Sequence, residues 1–246
     1  MTELLYLPDA DATTTFTATV TGATEGYIVL DGTYFYPEGG GQPADRGTLT
    51  WDGGQAEVGD VRKDHGEVHH VVASMTGDPP EPGTTIEGRI DTERRERLRR
   101  MHTAQHVVSR VVLDEYGATT AGNQIHEDRS RIDFTPADFD EADLDQIQRR
   151  SNEAIARDLP VRKENRPRGA VEREVDEGRA LLDRIPESVD PLRVVEIDGF
   201  DMCPCGGTHV DSTGAIGHIE ITGRTSKGEN TERVEFELAA GNKPES

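Results

Sequence analysis

Cysteine is nearly absent from this chain of 246 residues: there are two, Cys203 and Cys205, with one residue between them. Thiols so close cannot staple distant segments, which excludes a disulfide framework and favours a metal or redox role. Long apolar runs are missing as well. No stretch approaches the roughly 20 apolar residues that span a bilayer, and the N-terminal Met-Thr-Glu-Leu-Leu-Tyr lacks the basic and then apolar pattern of a secretion signal. A soluble, cytoplasmic protein without a membrane partner is the expectation. Lysine is scarce, so most of the 27 basic residues are arginine, and no internal repeat is visible.

What the chain has in excess is carboxylate: 48 acidic residues against 27 basic ones, a net charge of -21. Affinity for nucleic acid comes largely from cations that displace counterions from phosphates, so a chain this acidic would ordinarily be a poor RNA binder. Two explanations compete. Either the partner is not nucleic acid, or the acidity is halophilic. In the second case molar salt shortens the Debye length to about 3 Å and a carboxylate surface keeps the protein soluble. The acidic residues are scattered along every segment rather than gathered in one tail, which favours the halophilic explanation.

The length suits one large domain or two modest ones. Residues 1–90 carry β-branched and aromatic runs at 13–20, 26–30 and 68–72, with Asp31-Gly32 and Asp52-Gly53 as turn signals. They predict a small N-terminal β-barrel domain. Pro79-Pro80-Glu81-Pro82-Gly83 reads as a turn or linker before a short strand at 84–90. From Asp91 the texture changes, and residues 91–246 are expected to form a second domain. Leu98, Met101, Ala104, Val108, Val111 and Val112 recur at helical spacing within 92–116, and Gly117 supplies a stop.

After a strand at 131–134, Thr135-Pro136 is a cap and first-turn signal for a helix reaching toward Leu159. Strands are read at 161–164, 192–197, 216–222 and 233–238, with a short helix near 175–183. This intermixing predicts an α+β class, the second domain being a two-layer α/β unit. Arg94, Arg95, Arg97, Arg99 and Arg100 crowd the start of the first helix. They either contact phosphates or form a solvated face paired with Glu93 and Glu96.

Two short motifs about a hundred residues apart carry the chemistry. His102 and His106 stand four residues apart, which on a helix places both imidazoles on one face about one turn apart. Cys205 and His209 add a thiolate and a third imidazole, separated by Gly206 and Gly207, glycines that allow a tight, ligand-presenting turn. His102, His106, Cys205 and His209 form a His3Cys set suited to one zinc ion per chain, because zinc is borderline soft and takes tetrahedral nitrogen and sulfur ligands. A metalloprotease is not indicated: its helical His-Glu-x-x-His motif holds a glutamate where this chain has Thr103, Ala104 and Gln105.

With those residues in place, the chain resembles the editing module of alanyl-tRNA synthetases and its free-standing relatives, the AlaX trans-editing proteins. Phe35-Tyr-Pro-Glu-Gly-Gly-Gly-Gln42 with Asp45 and Gly47 is similar to the glycine-rich motif of the family's barrel. His102 to His106 matches its His-x3-His, and Asp158-Leu-Pro160 the end of a family helix. Cys205 to His209, followed by Val210, Thr213, Gly214, Ile216 and Gly217, matches its Cys-x3-His segment. The editing domain of threonyl-tRNA synthetases is similar in its core but lacks the glycine-rich motif. The length leaves no room for aminoacylation machinery or for the C-terminal domain of longer relatives, so the middle-sized AlaX type is expected. Cys203 departs from the pattern, and reads as an alternative ligand, a redox partner or a small buried residue.

The resemblance implies hydrolysis of the ester joining serine or glycine to the 3′ end of tRNA(Ala), because binding alone excludes neither well from an alanine site. Zinc would either activate water or hold the amino acid moiety. Four firm ligands suit a structural ion or an expanded coordination sphere, so one of the four, His209, is expected to leave the metal and serve as the catalytic base. Thr119, Thr120, Asn123 and Gln124 are candidates for binding the serine hydroxyl, or else form a loop closed by Asx and Thr turns. Gly39, Gly40, Gly41 and Gln42 would let the tRNA 3′ end approach the backbone, or else form a hairpin or barrel corner. Two other functions fit the same residues: a zinc-stabilised tRNA-binding module without catalysis, and a metal-dependent hydrolase of a small ester or amide.

Overall fold

The stretch Thr85–Ile90 alternates exposed and buried residues without a break, turning Ile86 and Ile90 inward, the period of two that a half-buried strand requires. The computed structural model, which describes residues 1–176, 178–179 and 185–239, places it last among eight strands of the first part of the chain. These are β1 (Glu3–Leu4), β2 (Thr15–Ala23), β3 (Tyr27–Leu30), β4 (Gly32–Thr33), β5 (Gly47–Trp51), β6 (Gly54–Asp64), β7 (Glu67–Thr76) and β8 (Thr85–Ile90). Six of them close into a barrel in the order β2-β3-β7-β6-β5-β8, and β1 pairs in parallel with β4. Leu30, Phe35, Leu49, Ala56, Val61 and Ile86 lie in its interior with almost no exposure. Full burial of each of these side chains larger than alanine stabilises by about 1.5–3 kcal/mol.

The expected barrel is present, with β5 and β6 as strands that the sequence reading missed. Asp52-Gly53 joins them as a two-residue hairpin turn, Trp51 standing opposite Gly54. Asp31-Gly32 does not make a hairpin. Gly32 belongs to β4, where a Cβ would meet Leu5 Cδ1 at 2.9 Å, so the glycine serves close approach rather than a turn.

The chain divides into two compact units, residues 1–97 and Leu98 onward. In the second lie most of α1 (Thr92–Tyr116), then β9 (Thr119–Ile125), β10 (Arg129–Thr135), α2 (Glu141–Ala156), β11 (Val161–Arg166), α3 (Arg168–Glu174), β12 (Leu192–Ile197), β13 (Asp201–Pro204), β14 (Ile219–Ser226) and β15 (Glu232–Leu238). Two sheets form, one in the order β14-β15-β10-β9 and one in the order β11-β12-β13. All their pairings are antiparallel. Leu98, Met101, Ala104, Val108 and Val112 of α1 share one core with Ile132 and Phe134 of β10, Ile147 of α2, Val195 and Ile197 of β12 and Phe236 of β15.

The helix predicted from Thr135-Pro136 begins later, at Glu141. Asp140 caps it: its side chain accepts from Asp143 N while the Asp143 side chain accepts from Asp140 N, each at 2.9 Å, a reciprocal box that outcompetes the earlier signal. The strand predicted from 216 starts at Ile219, because Thr213–Ile216 forms a 3-10 turn. The helix read near 175–183 lies largely outside the described residues.

The arginine cluster needs a larger correction. Neither the phosphate-contacting nor the solvated-face reading describes Arg94, Arg95, Arg99 and Arg100. Arg94 donates to Ala44 O through Nε and Nη2 at 3.1 and 2.9 Å. Arg95, 1% exposed, grips the fully buried Asp45 with Nε and Nη2 and donates from Nη1 to Asp11 O at 2.7 Å. Arg99 and Arg100 reach carbonyls of the second unit, described below. Arg97 makes the expected pair with Glu93, at 3.2 Å.

Candidate metal centre

His102 and His106 project from the middle of α1 and are both buried. The other half is a turn that leaves β13 at Cys205. Cys205 N donates to Arg193 O at 3.1 Å, and Gly207 N donates to the Cys205 sulfur at 3.4 Å. The Arg193 guanidinium clasps the turn by donating to Cys205 O and Gly207 O at 2.7 and 2.9 Å. These bonds, rather than left-handed glycines, shape it: neither Gly206 nor Gly207 has a positive φ. A Cβ on Gly206 would meet nothing within 4 Å.

Helix and turn are joined by atoms that are not ligands. Arg99 Nε donates to His209 O at 2.8 Å, and Val210 N donates to Thr103 Oγ1 at 3.2 Å. The next residue, Arg100, donates to Ile216 O at 3.0 and 2.7 Å. Asp158, just past α2, receives Gly214 N at 3.1 Å and fixes the segment that follows.

The result is convergence. Ligand-type atoms of His102, His106, Cys205 and His209 all lie within 4.8 Å of one another. Cys205 Sγ is 3.5 Å from His102 Nε2 and 3.3 Å from His209 Nε2. Zinc's bond lengths and tetrahedral angle place neighbouring donors about 3.3–3.6 Å apart, a range that the two Cys205 separations match.

The electrostatics favour the same chemistry. Burial alone would push the Cys205 thiol up, but His102 and His209 outweigh it and hold the thiol well below its ordinary range. Burial, assisted by His102, holds His209 well below the ordinary histidine range, as a neutral ring. Thiolate and neutral imidazole are the ligating forms.

His106 meets a different neighbour. Its Nδ1 faces Asp201 Oδ2 at 3.6 Å, an electrostatic contact longer than a formed hydrogen bond. Burial would depress His106, yet Asp201 and Cys205 raise it. Asp201 is itself buried, which favours its neutral form, but Arg179 and then His106 hold it far below the carboxylate range.

Of the residues proposed from sequence for substrate binding, Thr119, Thr120, Asn123 and Gln124 form no loop. They lie on β9, paired with β10, because strand pairing takes up the backbone groups that turns would have used. Thr120 Oγ1 donates to Ser109 Oγ on α1 at 3.1 Å, Thr119 Oγ1 donates to Thr135 O at 3.0 Å, and Gln124 Oε1 accepts from Arg131. Gly39 and Gln42 exchange backbone hydrogen bonds at 3.1 and 2.9 Å around Gly40 and Gly41, both with positive φ. That is a tight hairpin turn. Gln42 is wholly buried, while Gly40 is exposed.

Cys203 lies outside the four-residue cluster. It is buried in β13 opposite Val195, donates to Pro204 O at 3.4 Å, and its thiol is pushed up to about 12 chiefly by burial. That favours its reading as a small buried residue. Sequence reasoning missed Thr103, Arg193, Asp201 and Arg179, and gave Arg99 other partners than His209 O. Only Thr103, between the two histidines, carried a local signal. Among the described residues, no helix is long and apolar enough to cross a membrane.

Comparison with known proteins bears on the whole chain. Residues 7–94 match the family described as tRNA synthetases class II (A), and residues 192–235 the threonyl and alanyl tRNA synthetase second additional domain. The alanyl-tRNA editing protein AlaX-M of Methanosarcina acetivorans is 37% identical over 97% of this chain and 99% of its own length. The alanine--tRNA ligase of Methanopyrus kandleri is 42% identical over 98% of this chain and 26% of its own. That of Halobacterium salinarum is 41% identical over 87% of this chain and 22% of its own. The chain thus spans about a quarter of these ligases and nearly the whole of the AlaX-M protein.

Proposed function

The chain belongs to the alanyl-tRNA editing family that includes AlaX-M, and on that premise we propose that it is an aminoacyl-tRNA deacylase acting on tRNA(Ala) mischarged with serine or glycine. The observation that carries this reading is the convergence of His102, His106, Cys205 and His209 in a chain similar to AlaX-M along nearly its full length. These four residues would hold one zinc ion. A bound zinc ion supplies a Lewis acid that makes water a competent nucleophile near neutral pH or polarises an ester carbonyl.

The protein's own groups have separable tasks. Thr103 and Arg99 fix the ring and the backbone of His209, which supports a ligand held in place over a base that departs. Arg193 keeps the Cys205 turn closed. Thr120 spends its hydroxyl proton on Ser109, so its lone pairs are left to accept a hydrogen bond. With Thr119, Asn123 and Gln124 on the same strand, it offers an acceptor for a serine hydroxyl. A site built to pair that hydroxyl disfavours alanine, which would leave the acceptor unmatched. The exposed backbone at Gly40 in the glycine-rich turn would receive the RNA.

The test is release of serine from Ser-tRNA(Ala), with Ala-tRNA(Ala) as the control, in molar KCl. Serine release well above buffer hydrolysis with alanine retained is expected. Zinc retention without release in excess of buffer would replace the enzyme with a non-catalytic tRNA-binding module, a reading that the closed set of four donors also suits.

A further inference from the structure

Asp201 opens β13, four residues before Cys205, and its carboxylate has no solvent exposure. One guanidinium takes up both of its oxygens: Arg179 Nε donates to Oδ1 at 2.5 Å and Arg179 Nη2 donates to Oδ2 at 2.6 Å. Oδ2 also faces His106 Nδ1 at 3.6 Å. Among the described residues, no group forms a hydrogen bond with that nitrogen. A buried carboxylate beside a ligand-type imidazole can either bind an ion itself or hold the ring. The side-on fork of Arg179 opposes the first role, and Asp201 stands outside the cluster of converging donors. What remains is the lone pair of Oδ2 directed toward His106.

We propose that Asp201, anchored by Arg179, is a positioning residue of the metal centre: it accepts the Nδ1 proton of His106 and so leaves Nε2 as the atom that binds the ion. The inference rests on the metal-binding reading of the four-residue cluster. A carboxylate behind a ligating histidine fixes its tautomer and orientation and makes the ring a stronger donor. His209 is served in parallel, its Nδ1 lying 3.2 Å from the Thr103 hydroxyl. His106 and His209 therefore each have a dedicated partner on the side away from the ion, one anionic and one neutral. Arginine suits the anchor because its planar fork matches both carboxylate oxygens at once, and it keeps the buried anion paired whether or not an ion is bound.

The proposal is tested on the full chain with zinc alone as the probe, by competition against a chromophoric chelator for wild type, Asp201→Asn and Arg179→Lys. Nuclear magnetic resonance of the ¹⁵N-labelled histidines in the zinc-loaded wild type accompanies it. Asp201→Asn keeps the shape and removes the charge. It is expected to bind zinc about 10–100-fold more weakly, with Arg179→Lys weakened in the same direction. His106 is expected to carry its proton on Nδ1 and the metal on Nε2. Zinc affinity of Asp201→Asn within about twofold of wild type overturns the proposal, as does coordination of His106 through Nδ1. A purely structural ion pair would lower the melting temperature of both variants while leaving affinity and tautomer unchanged. Should Asp201→Asn fail to fold, the wild-type tautomer decides. Wild type that holds no zinc at all overturns the metal reading itself, a result distinct from equal affinities.

Discussion

Thr103 Oγ1 lies 3.2 Å from Nδ1 of His209, although 106 residues separate the two in the chain. The hydroxyl has one proton, which goes to Arg99 O at 2.9 Å, and its lone pairs face Val210 N–H and the ring. His209 must therefore donate from Nδ1, and Nε2 is left toward Cys205. Thr103→Val would leave two buried polar groups unpaired. It is expected to cost about 1–3 kcal/mol and to weaken zinc binding about tenfold, with Thr103→Ser restoring both. Melting curves and chelator titration measure the two effects. Wild-type zinc affinity in Thr103→Val would remove the orienting role.

Elemental analysis of protein purified without added metal should find one zinc per chain. Cys205→Ala should release it, because the thiolate is central to the donor set. Stoichiometric zinc in a Cys205→Ala, His106→Ala double variant would sink the assignment.

Asp45→Ala would strand the buried guanidinium of Arg95 without its carboxylate. Losing one partner of a buried pair costs about 3–5 kcal/mol, so denaturant melts should show a large loss. Arg97→Ala breaks an exposed pair one helical turn long and should scarcely move the transition. Equal effects from the two would return Arg95 to the solvated face.

His70 supplies a pH dependence. It is fully buried between Thr33 Oγ1 at 2.8 Å and Ile28 O at 2.9 Å, and burial lowers its pKa from 6.5 to about 4. The unfolded chain thus binds a proton more readily than the folded one. The associated stability is fully present above pH 6.5 and is lost as pH falls toward 4, roughly 3 kcal/mol in all. Urea melts of wild type and His70→Gln between pH 7 and pH 4.5 isolate it. A wild type that loses no more stability than the variant across that interval contradicts the assignment.

A net charge of -21 repels itself at low ionic strength, so the melting temperature should climb with KCl into the molar range. A flat or falling series would remove the halophilic explanation of the acidity.

Legibility in the sequence followed the range of the forces involved. Helix α1 was readable end to end, since its apolar spacing and Gly117 are local signals. The four converging residues were readable because their spacing within each half is local too. Thr135-Pro136 misled because the stronger cap at Asp140 depends on Asp143 three residues later. Strands β5 and β6 escaped because Thr, Gln and Glu dilute their alternation. The arginines were misjudged for a different reason. Carbonyls at Ala44, His209 and Ile216 are partners that only the folded chain brings near. Asp201 was one acid among 48, and nothing local marks it as the one that faces a histidine.

The bonds from Arg99 to His209 O and from Val210 N to Thr103 have a consequence for how such chains diverge. They hold the two halves of the donor set together directly, across sequence separations of 110 and 107 residues, without using a ligand atom. The segment between the halves therefore acts as a tether and not as a ruler. Its turns can gain or lose residues, as between β9 and β10, while the donors keep their spacing. Length variation among relatives should accordingly concentrate there, and residues 99–103 and 205–210 should tolerate no insertion at all.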